Sequence, residues 1–98
     1  MELKKDSNYY LDLAKVFRAL GSSIRIRMLF LLVDQDYCAC QFPELLGISQ
    51  PNSSRNLDVL RKAGLVVSHR DGQKIIYQLK SKSIIQLMDI CQKFTDEK

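Results

Sequence analysis

The side chains with the most distinctive chemistry in this sequence belong to three cysteines. Cys38 and Cys40 are separated by a single residue, and Cys91 lies near the carboxyl-terminal end. An odd number argues against a framework of structural disulfides, and a bond between residues as close as Cys38 and Cys40 would be strained. Reduced thiols leave two interpretations. They are buried as small hydrophobic side chains, or they form a site for a soft metal ion or for redox chemistry.

A second set of side chains has the types that recognise nucleic acids. Glutamine and asparagine pair with adenine, arginine with guanine, and serine with a base or a phosphate, while other basic side chains bind the phosphate backbone. The set comprises Gln50, Asn52, Ser54, Arg55, Arg61, Lys62, His69, Arg70 and Lys74. The alternative is a solvated surface of the same composition, and composition alone does not decide between the two.

Motifs for catalysis are missing. The sequence has no glycine-rich phosphate loop, no paired-carboxylate site and no Ser/His/Asp set, and a single histidine leaves little acid–base chemistry. We therefore expect no enzyme. The histidine, His69, is expected to be exposed or to contact a phosphate rather than to bind a metal.

Length and charge limit the remaining possibilities. With 98 residues, 46% of them hydrophobic, the chain is expected to form a single domain over 1–98, and so small a core favours a partner subunit. A net charge of +4 suits a polyanion but is weak evidence. The longest apolar run, Met28–Val33, is too short to span a bilayer, and no secretory signal is apparent. We expect a cytoplasmic protein with no membrane contact.

Hydrophobic periodicity predicts the first two helices. Apolar residues at helical spacing predict a helix over Tyr9–Leu20, which Gly21 ends. Ser22 or Ser23 then caps a second helix that runs to about Val33. The inner face of this helix is expected to be Ile26, Met28, Leu29 and Leu32.

A short helix, a turn and a capped helix follow. Gln41–Leu46 has a helical pattern and Gly47 breaks it. Ser49 is a good N-cap for a further helix, which ends at Ala63-Gly64.

A hairpin and a last helix complete the pattern. Leu65–Arg70 and Lys74–Leu79 are rich in β-branched residues and flank an Asp71-Gly72 pair, a strong hairpin signal. The last helix begins near Ser81 or Ser83. Its apolar stripe is Ile84, Leu87, Met88, Cys91 and Phe94.

This order predicts a winged helix-turn-helix fold, mainly α with a small β-hairpin wing and therefore α+β. The helix-turn-helix covers about 41–63 and the wing about 65–79. Three further expectations concern single features. The first eight residues and Thr95–Lys98 are expected to be frayed, Arg25 and Arg27 to extend to the surface, and Ser53 to lie at an inward position that suits an apolar residue better.

In this fold the helix after Ser49 is the recognition helix. With Leu57 and Leu60 inward, Asn52 and Arg55 point away from the core. Ser54 lies at the flank and Gln50 at the amino-terminal tip, where free N–H groups also favour a phosphate.

The remaining basic residues are expected at the backbone of double-stranded DNA. Arg61 and Lys62 lie farther along the recognition helix, where they contact phosphates rather than bases. His69, Arg70 and Lys74 flank the hairpin turn, where they reach a phosphate or the minor groove.

From Val16 to Leu79 the sequence closely resembles the ArsR-type family of metal-sensing repressors. The matching stretches are Phe17-Arg-Ala-Leu-Gly-Ser, Arg25 to Leu32, Ile48-Ser-Gln-Pro-Asn-Ser-Ser-Arg-Asn-Leu, Leu60-Arg-Lys-Ala-Gly-Leu-Val and Arg70-Asp-Gly-Gln-Lys-Ile-Ile-Tyr-Gln-Leu. The resemblance implies a homodimer whose first and last helices form the interface. It also implies a repressor that leaves its operator when an inducer binds and that needs no cofactor to bind DNA.

The cysteine pair is similar to a signature of this family. Its arsenical and heavy-metal sensors carry Cys-x-Cys ahead of the helix-turn-helix, as in Tyr37-Cys38-Ala-Cys40-Gln-Phe. As(III) and Sb(III) prefer three thiolates, and Cd(II) and Pb(II) also accept them. The resemblance implies As(III) or Sb(III) as inducer, with Cd(II) or Pb(II) as the alternative. The third ligand is Cys91 of either subunit, or Cys91 is inert filler. Ion binding is expected to remodel the segment before Gln41 and so to reposition the recognition helix.

Two departures from the family pattern limit which sensor sites this chain can form. Well-known arsenic sensors have a third cysteine where this chain has Pro43, and Asn56 replaces a histidine of the recognition helix, which excludes a site that uses it. Two other interpretations stay open. In one, the protein senses oxidation or persulfidation through Cys40 or Cys38 together with Cys91. In the other, the cysteines are inert in a constitutive DNA-binding protein.

Overall fold

The computed structural model describes residues 2–3 and 6–97 of the chain. These residues contain five α-helices and three strands. In chain order they are α1 (Ser7–Ala19), α2 (Ser23–Asp34), β1 (Tyr37–Cys38), α3 (Phe42–Leu46), α4 (Gln50–Lys62), β2 (Val66–Asp71), β3 (Lys74–Leu79) and α5 (Lys82–Asp96). A 3-10 helix, Ala39–Gln41, joins β1 to α3. The predicted fold, mainly α with a β wing, is confirmed. No helix within the described residues is long and apolar enough to cross a membrane.

Side-chain caps fix where three of the helices begin. Ser22 accepts a hydrogen bond from the main chain of α2, and Ser49 does the same for α4, as predicted. Asp6 caps α1, since its Oδ1 accepts the N–H of Asn8 at 2.9 Å. This third cap was not predicted from the sequence.

The prediction of frayed ends is wrong for Ser7, Asn8, Thr95 and Asp96, which belong to helices, whereas Glu2 and Leu3 lie outside any helix or strand. Because Asp6 satisfies a main-chain N–H, α1 begins at Ser7. At the other end α5 continues to Asp96, and the Thr95 hydroxyl donates to the Cys91 carbonyl oxygen at 2.9 Å. The remaining residues of this prediction that lie outside the described part are Met1, Lys4, Lys5 and Lys98.

The core lies between α2, the helix-turn-helix and the sheet. Most of the predicted inward residues of α2 and α4 are buried, namely Met28, Leu29, Leu32, Leu57 and Leu60, whereas Ile26 is half-buried. Phe42, at the start of α3, is fully buried and meets the rings of Tyr37 and Tyr77 edge-on, with centroids 5.8 and 6.4 Å away. Through these contacts the core holds α3 against the sheet.

The wing is a β2–β3 hairpin whose turn differs from the predicted one. Asp71 pairs with Lys74, so the two loop residues are Gly72 and Gln73 rather than Asp71 and Gly72. Gly72 has a φ of 64° and Gln73 has no positive φ. A glycine at the first central position is the arrangement of a type II′ turn, which matches the twist of the two strands.

A third strand joins the wing and was not predicted. Strand β1 pairs with β3 in the register Tyr37↔Tyr77 and Cys38↔Ile76, which gives the sheet order β1-β3-β2. The cysteine segment is therefore hydrogen-bonded to the wing on one side and runs into α3 on the other.

Ser53 occupies the inward position that the sequence indicated. It is fully buried in α4, and its hydroxyl oxygen has no hydrogen-bond partner among the described residues. A buried polar group without a partner costs about 1–3 kcal/mol of stability.

We predict that Ser53→Ala raises the free energy of unfolding. Removing the unpaired hydroxyl is expected to contribute about 1 kcal/mol, in addition to the higher helix propensity of alanine. Urea denaturation at fixed protein concentration measures the change. Ser54→Ala is the matched control, because the neighbouring serine is exposed in the same helix and changes propensity alone. Equal shifts for the two variants would show that the Ser53 hydroxyl carries no cost.

Candidate functional site

The amino-terminal end of α4 is the exposed tip of the helix-turn-helix. Ser49 Oγ accepts the N–H of Asn52 at 3.2 Å, which closes the first turn. Gln50, Ser54 and Arg55 are exposed, as expected for side chains that reach DNA. These three can therefore enter a groove without rearrangement of the helix.

Asn52 is not a free side chain, contrary to what its outward position suggested. It is half-buried, and Asn56, one turn later, donates from Nδ2 to both Asn52 Oδ1 at 2.7 Å and the Asn52 carbonyl oxygen at 2.9 Å. Two asparagines of the recognition helix thus form one hydrogen-bonded unit.

Arg25 is the third member of this unit, and its predicted extension to the surface is wrong. It is half-buried, and its Nη1 donates to Asn56 Oδ1 at 2.9 Å. Its other nitrogens bind the end of α1, with Nε 2.7 Å from the Ala19 carbonyl oxygen and Nη2 3.1 Å from that of Arg18. The carbonyl oxygens at the end of a helix form the negative end of its dipole, and they attract the cation. Arg27 is exposed, as predicted.

Arg61 and Lys62 are exposed on α4 but engaged by an acid of the same helix. Asp58 accepts from Arg61 Nη2 at 2.6 Å and from Lys62 Nζ at 2.9 Å. The hydrogen bonds from Lys62 and Arg61 lower the pKa of the Asp58 carboxyl, so it stays charged at neutral pH. Spacings of three and four residues on a helix are the sequence signal for this cluster, which was not predicted.

The basic residues of the wing are exposed but do not share one face. Residues directly opposite in an antiparallel pair lie on the same face, and neighbours along a strand alternate. His69, opposite Ile76, and Lys74, opposite Asp71, therefore lie on one face, whereas Arg70 lies on the other face with Tyr77. Only the hairpin tip brings the three near one another.

Cys38 and Cys40 are brought together and joined by a disulfide, with their Cα atoms 5.2 Å apart. This corrects the expectation that all three thiols are reduced. Cys38 is only 6% exposed, whereas Cys40 is exposed. Cys38 Sγ accepts the N–H of Cys40 at 3.3 Å, and the Cys38 N–H donates to Gln41 Oε1 at 2.8 Å. The pair therefore caps the 3-10 helix that leads into α3.

Cys91 is a free, exposed thiol on α5. It lines a largely apolar cleft of about 400 Å³ with residues of α2 and α5, among them Ile26, Phe30 and Met88. In residues 2–3 and 6–97 no group of three or more His, Cys, Asp or Glu side chains can share an ion. Cys91 of the same chain therefore does not complete a site with Cys38 and Cys40.

The first and last helices leave apolar side chains exposed on the single chain. In α1 Phe17 is 64% exposed, and in α5 Phe94 is 74% exposed. Other exposed apolar side chains of the two helices are Leu11, Leu13, Ile85 and Ile90. A set of this extent marks an interaction surface.

The helix-turn-helix and its wing define a DNA-binding fold, and comparison with known proteins gives the family. Residues 22–68 match the family described as bacterial regulatory protein, arsR family. The cadmium resistance transcriptional regulatory protein CadC of Listeria innocua is 32% identical over 83% of this chain and 69% of its own length. The arsenic resistance transcriptional regulator ArsR1 of Pseudomonas putida is 38% identical over 65% of this chain and 51% of its own length.

A solved structure from Mycobacterium bovis supports the assignment. It is the NMR structure of a homodimeric winged helix-turn-helix DNA-binding domain, described as a possible ArsR-family transcriptional regulator. It has a TM-score of 0.85 at 26% identity and covers 99% of this chain and 92% of that chain. The chain belongs to the arsR family of bacterial regulatory proteins. The fold and the relatives are those of DNA-binding transcriptional regulators rather than enzymes. The curated relatives are named for resistance to different metals, cadmium and arsenic, so membership of the family does not identify the ion.

We predict that Asp58→Asn strengthens DNA binding. The change frees Arg61 and Lys62 for phosphates, so affinity is expected to rise about threefold to tenfold at 0.1 M salt. The slope of log K against log salt concentration should steepen by about 1–2 for two subunits. Fluorescence anisotropy with duplex DNA measures both quantities.

The control for this prediction is Asp89→Asn, which removes the same charge from α5, where Asp89 pairs with Lys93 at 3.3 Å. It should change affinity much less. An unchanged salt slope for Asp58→Asn would show that Arg61 and Lys62 do not reach the phosphates.

Proposed function

We propose that this protein is a transcriptional repressor that binds operator DNA as a homodimer and releases it when As(III) or Sb(III) binds at Cys38 and Cys40. The observation that carries the proposal is the position of Cys38. It pairs with the wing through β1 and caps the 3-10 helix before α3. A change at this residue therefore acts on both elements that face DNA.

The DNA contacts follow from exposure and position. Gln50, Ser54 and Arg55 enter the major groove from the tip of α4, together with Asn52. Arg61, Lys62, His69, Arg70 and Lys74 contact the backbone or the adjacent minor groove. DNA binding needs no cofactor and places the protein in the cytoplasm with its operator.

The homodimer is supported by the exposed apolar residues of α1 and α5. Phe17, Ile90 and Phe94 are each more than half exposed on the single chain. Burying them against a second copy removes apolar area from water and places two recognition helices on one duplex. Dimer formation therefore accounts for both the apolar surface and the reading of two half-sites.

The cysteines fit a thiophilic ion. Because the two sulfur atoms are close enough to form a disulfide, the reduced pair can offer two thiolates to one ion. As(III) and Sb(III) prefer three thiolates, and the third comes from Cys91 of the partner subunit or from a small thiol in solution, since Cys40 is exposed. Cd(II) and Pb(II) are the alternative inducers, because they also accept thiolate ligands.

We attribute release to a change in the turn that Cys38 caps. When both sulfur atoms bind one ion they lie farther apart than in the disulfide, which changes the turn that the hydrogen bond from the Cys40 N–H to Cys38 Sγ closes. The hydrogen bond from Cys38 to Gln41 lies in the same turn. Movement here shifts Phe42, the residue that holds α3 against the core, and so changes the support of α4. Coupling of this kind is typically worth 5- to 150-fold in affinity.

A redox switch is the second candidate, and the Cys38–Cys40 disulfide favours it. In this version two thiols lose two protons and two electrons to an oxidant as the bond forms. Persulfidation is a related modification of the same thiols.

We predict that Cys38→Ser and Cys40→Ser abolish release by As(III). Reduced protein is bound to a fluorescent duplex selected from a randomised library, and arsenite or antimonite is titrated while anisotropy is followed. The wild-type affinity should fall about 5- to 150-fold and the variants should keep theirs. Serine suits the test because its Oγ still accepts the Cys40 N–H and preserves the cap. If the Cys38→Ser variant still released DNA at the ion concentration that acts on the wild type, the assignment of Cys38 as a ligand would be contradicted.

Three further arms of that experiment resolve the ion, the third ligand and the redox candidate. Titrations with Cd(II) and Pb(II) compare the inducers. Wild-type behaviour of Cys91→Ser shows that the third ligand is external. Thiols are titrated after the ion has been removed with a chelator. An ion sensor then has all its thiols reduced, whereas release driven by an oxidant leaves a disulfide or polysulfide.

We predict that Phe94→Asp or Phe17→Asp weakens the homodimer roughly tenfold or more, because each buries a charge in an apolar contact. Sedimentation velocity across a concentration series measures this, and circular dichroism should show an intact fold, since both side chains are exposed on the single chain. Leu45→Asp, an exposed apolar position on α3, is the matched control. If both variants dimerised with the wild-type dissociation constant, the interface would not include these residues of α1 and α5.

A further inference from the structure

We propose that Arg25 and Asn56 fix the direction of the Asn52 side-chain amide, so that Asn52 donates from Nδ2 to an acceptor on a base edge instead of pairing with adenine through both amide atoms. The inference rests on the DNA-binding part of the proposed function. It makes Arg25 and Asn56 positioning residues and Asn52 the residue whose specificity they set.

The direction of each amide follows from the one before it. A guanidinium has only donors, so the atom of Asn56 that lies 2.9 Å from Arg25 Nη1 must be the acceptor Oδ1. The Asn56 amide nitrogen then faces the other way. It has only donors too, so the Asn52 atom 2.7 Å from it must be Oδ1. The orientation of an isolated asparagine amide is ambiguous, but here the chain of donors and acceptors determines both.

Arg25 is itself held in place. Its Nε and Nη2 donate to the carbonyl oxygens of Ala19 and Arg18 at the end of α1, so the guanidinium cannot turn without losing two charged hydrogen bonds. Asn56 is only 8% exposed and donates a second hydrogen bond, to the Asn52 carbonyl oxygen. Reversal of the Asn56 amide would leave buried polar atoms without partners, which is costly, and reversal of the Asn52 amide would set two N–H donors against each other.

The consequence is a donor at the tip of α4. Nδ2 of Asn52 has no acceptor among the described residues, whereas Oδ1 is directed towards Asn56. The usual pairing of asparagine with adenine needs the oxygen to accept from N6 while the nitrogen donates to N7. A nitrogen presented alone instead suits N7 or O6 of guanine, N7 of adenine or O4 of thymine. A base rather than a phosphate is the partner, because the first residues of a recognition helix lie against base edges.

The test begins with a duplex selected from a randomised library by reduced wild-type homodimer. Each purine is then replaced by its 7-deaza analogue, which lacks the N7 acceptor, each guanine by an analogue without O6, and each thymine by an analogue without O4. One position in each half-site is expected to lose about fivefold in affinity for the wild type and nothing further in Asn52→Ala. That position is the base that Asn52 contacts.

Asn56→Asp then tests the direction of the amide. The carboxylate keeps an acceptor for Arg25 but presents a second acceptor to Asn52, whose amide is expected to turn and direct its oxygen to DNA. The preference at the contacted position should change to a base with an exposed donor, adenine N6 or cytosine N4. Asn56→Ala is the control, since it frees the amide and should relax the preference without reversing it. Relative base preference is compared, because the added charge lowers overall affinity.

Three results would overturn the inference. One is an Asn56→Asp variant that dimerises normally and keeps the wild-type preference. Another is an Asn52→Ala variant that weakens all sequences equally and lowers the salt slope, which indicates a phosphate contact. The third, used if Asn56→Asp does not fold, is full wild-type preference in both Asn56→Ala and Arg25→Lys, since lysine lacks the fork that holds Asn56. Failure of the wild type to select any duplex would instead refute the proposed function.

Discussion

The Arg25 guanidinium joins three helices at one point. It lies on α2, its Nε and Nη2 bind carbonyl oxygens at the end of α1, and its Nη1 binds Asn56 of α4. A cation that is half removed from water must find acceptors, and the carbonyl oxygens at the end of α1 supply them. The helix whose exposed apolar residues suit a partner subunit is thereby tied to the helix that faces DNA. The spacing of two recognition helices in a dimer depends on such rigid links.

The cysteine segment is a second link, between the wing and the helix-turn-helix. Its strand β1 is only two residues long, and Cys38 is paired with Ile76 of the wing while it caps the turn before α3. Few hydrogen bonds hold this segment, so a change at one sulfur affects a large share of them. The segments that move in regulation are in general the less stable ones. The core contact of Phe42 carries such a movement towards α4.

Local features of this fold could be predicted from the sequence, and non-local ones could not. The caps at Ser22 and Ser49 and the inward faces of α2 and α4 depend on residues within a few positions, and the structure confirms them. Strand β1 is too short to show alternation, and its partner lies far along the chain. The Arg25–Asn56 contact spans 31 positions, so no spacing rule indicates it. The Asp58 pairs were within reach of the three- and four-residue rule for helices.

The difference in exposure between the two cysteines bears on how a switch at this site works. A ligand shifts an equilibrium only as far as its affinities for the two forms differ. An ion whose ligands were equally accessible in both forms would bind both equally well and would shift nothing. Cys40 is exposed and gives access, whereas Cys38 is 6% exposed and its sulfur accepts the Cys40 N–H. In the proposed switch, ligation by Cys38 would favour a form in which this turn has opened. The burial of Cys38 would then be the feature that couples ion binding to a structural change.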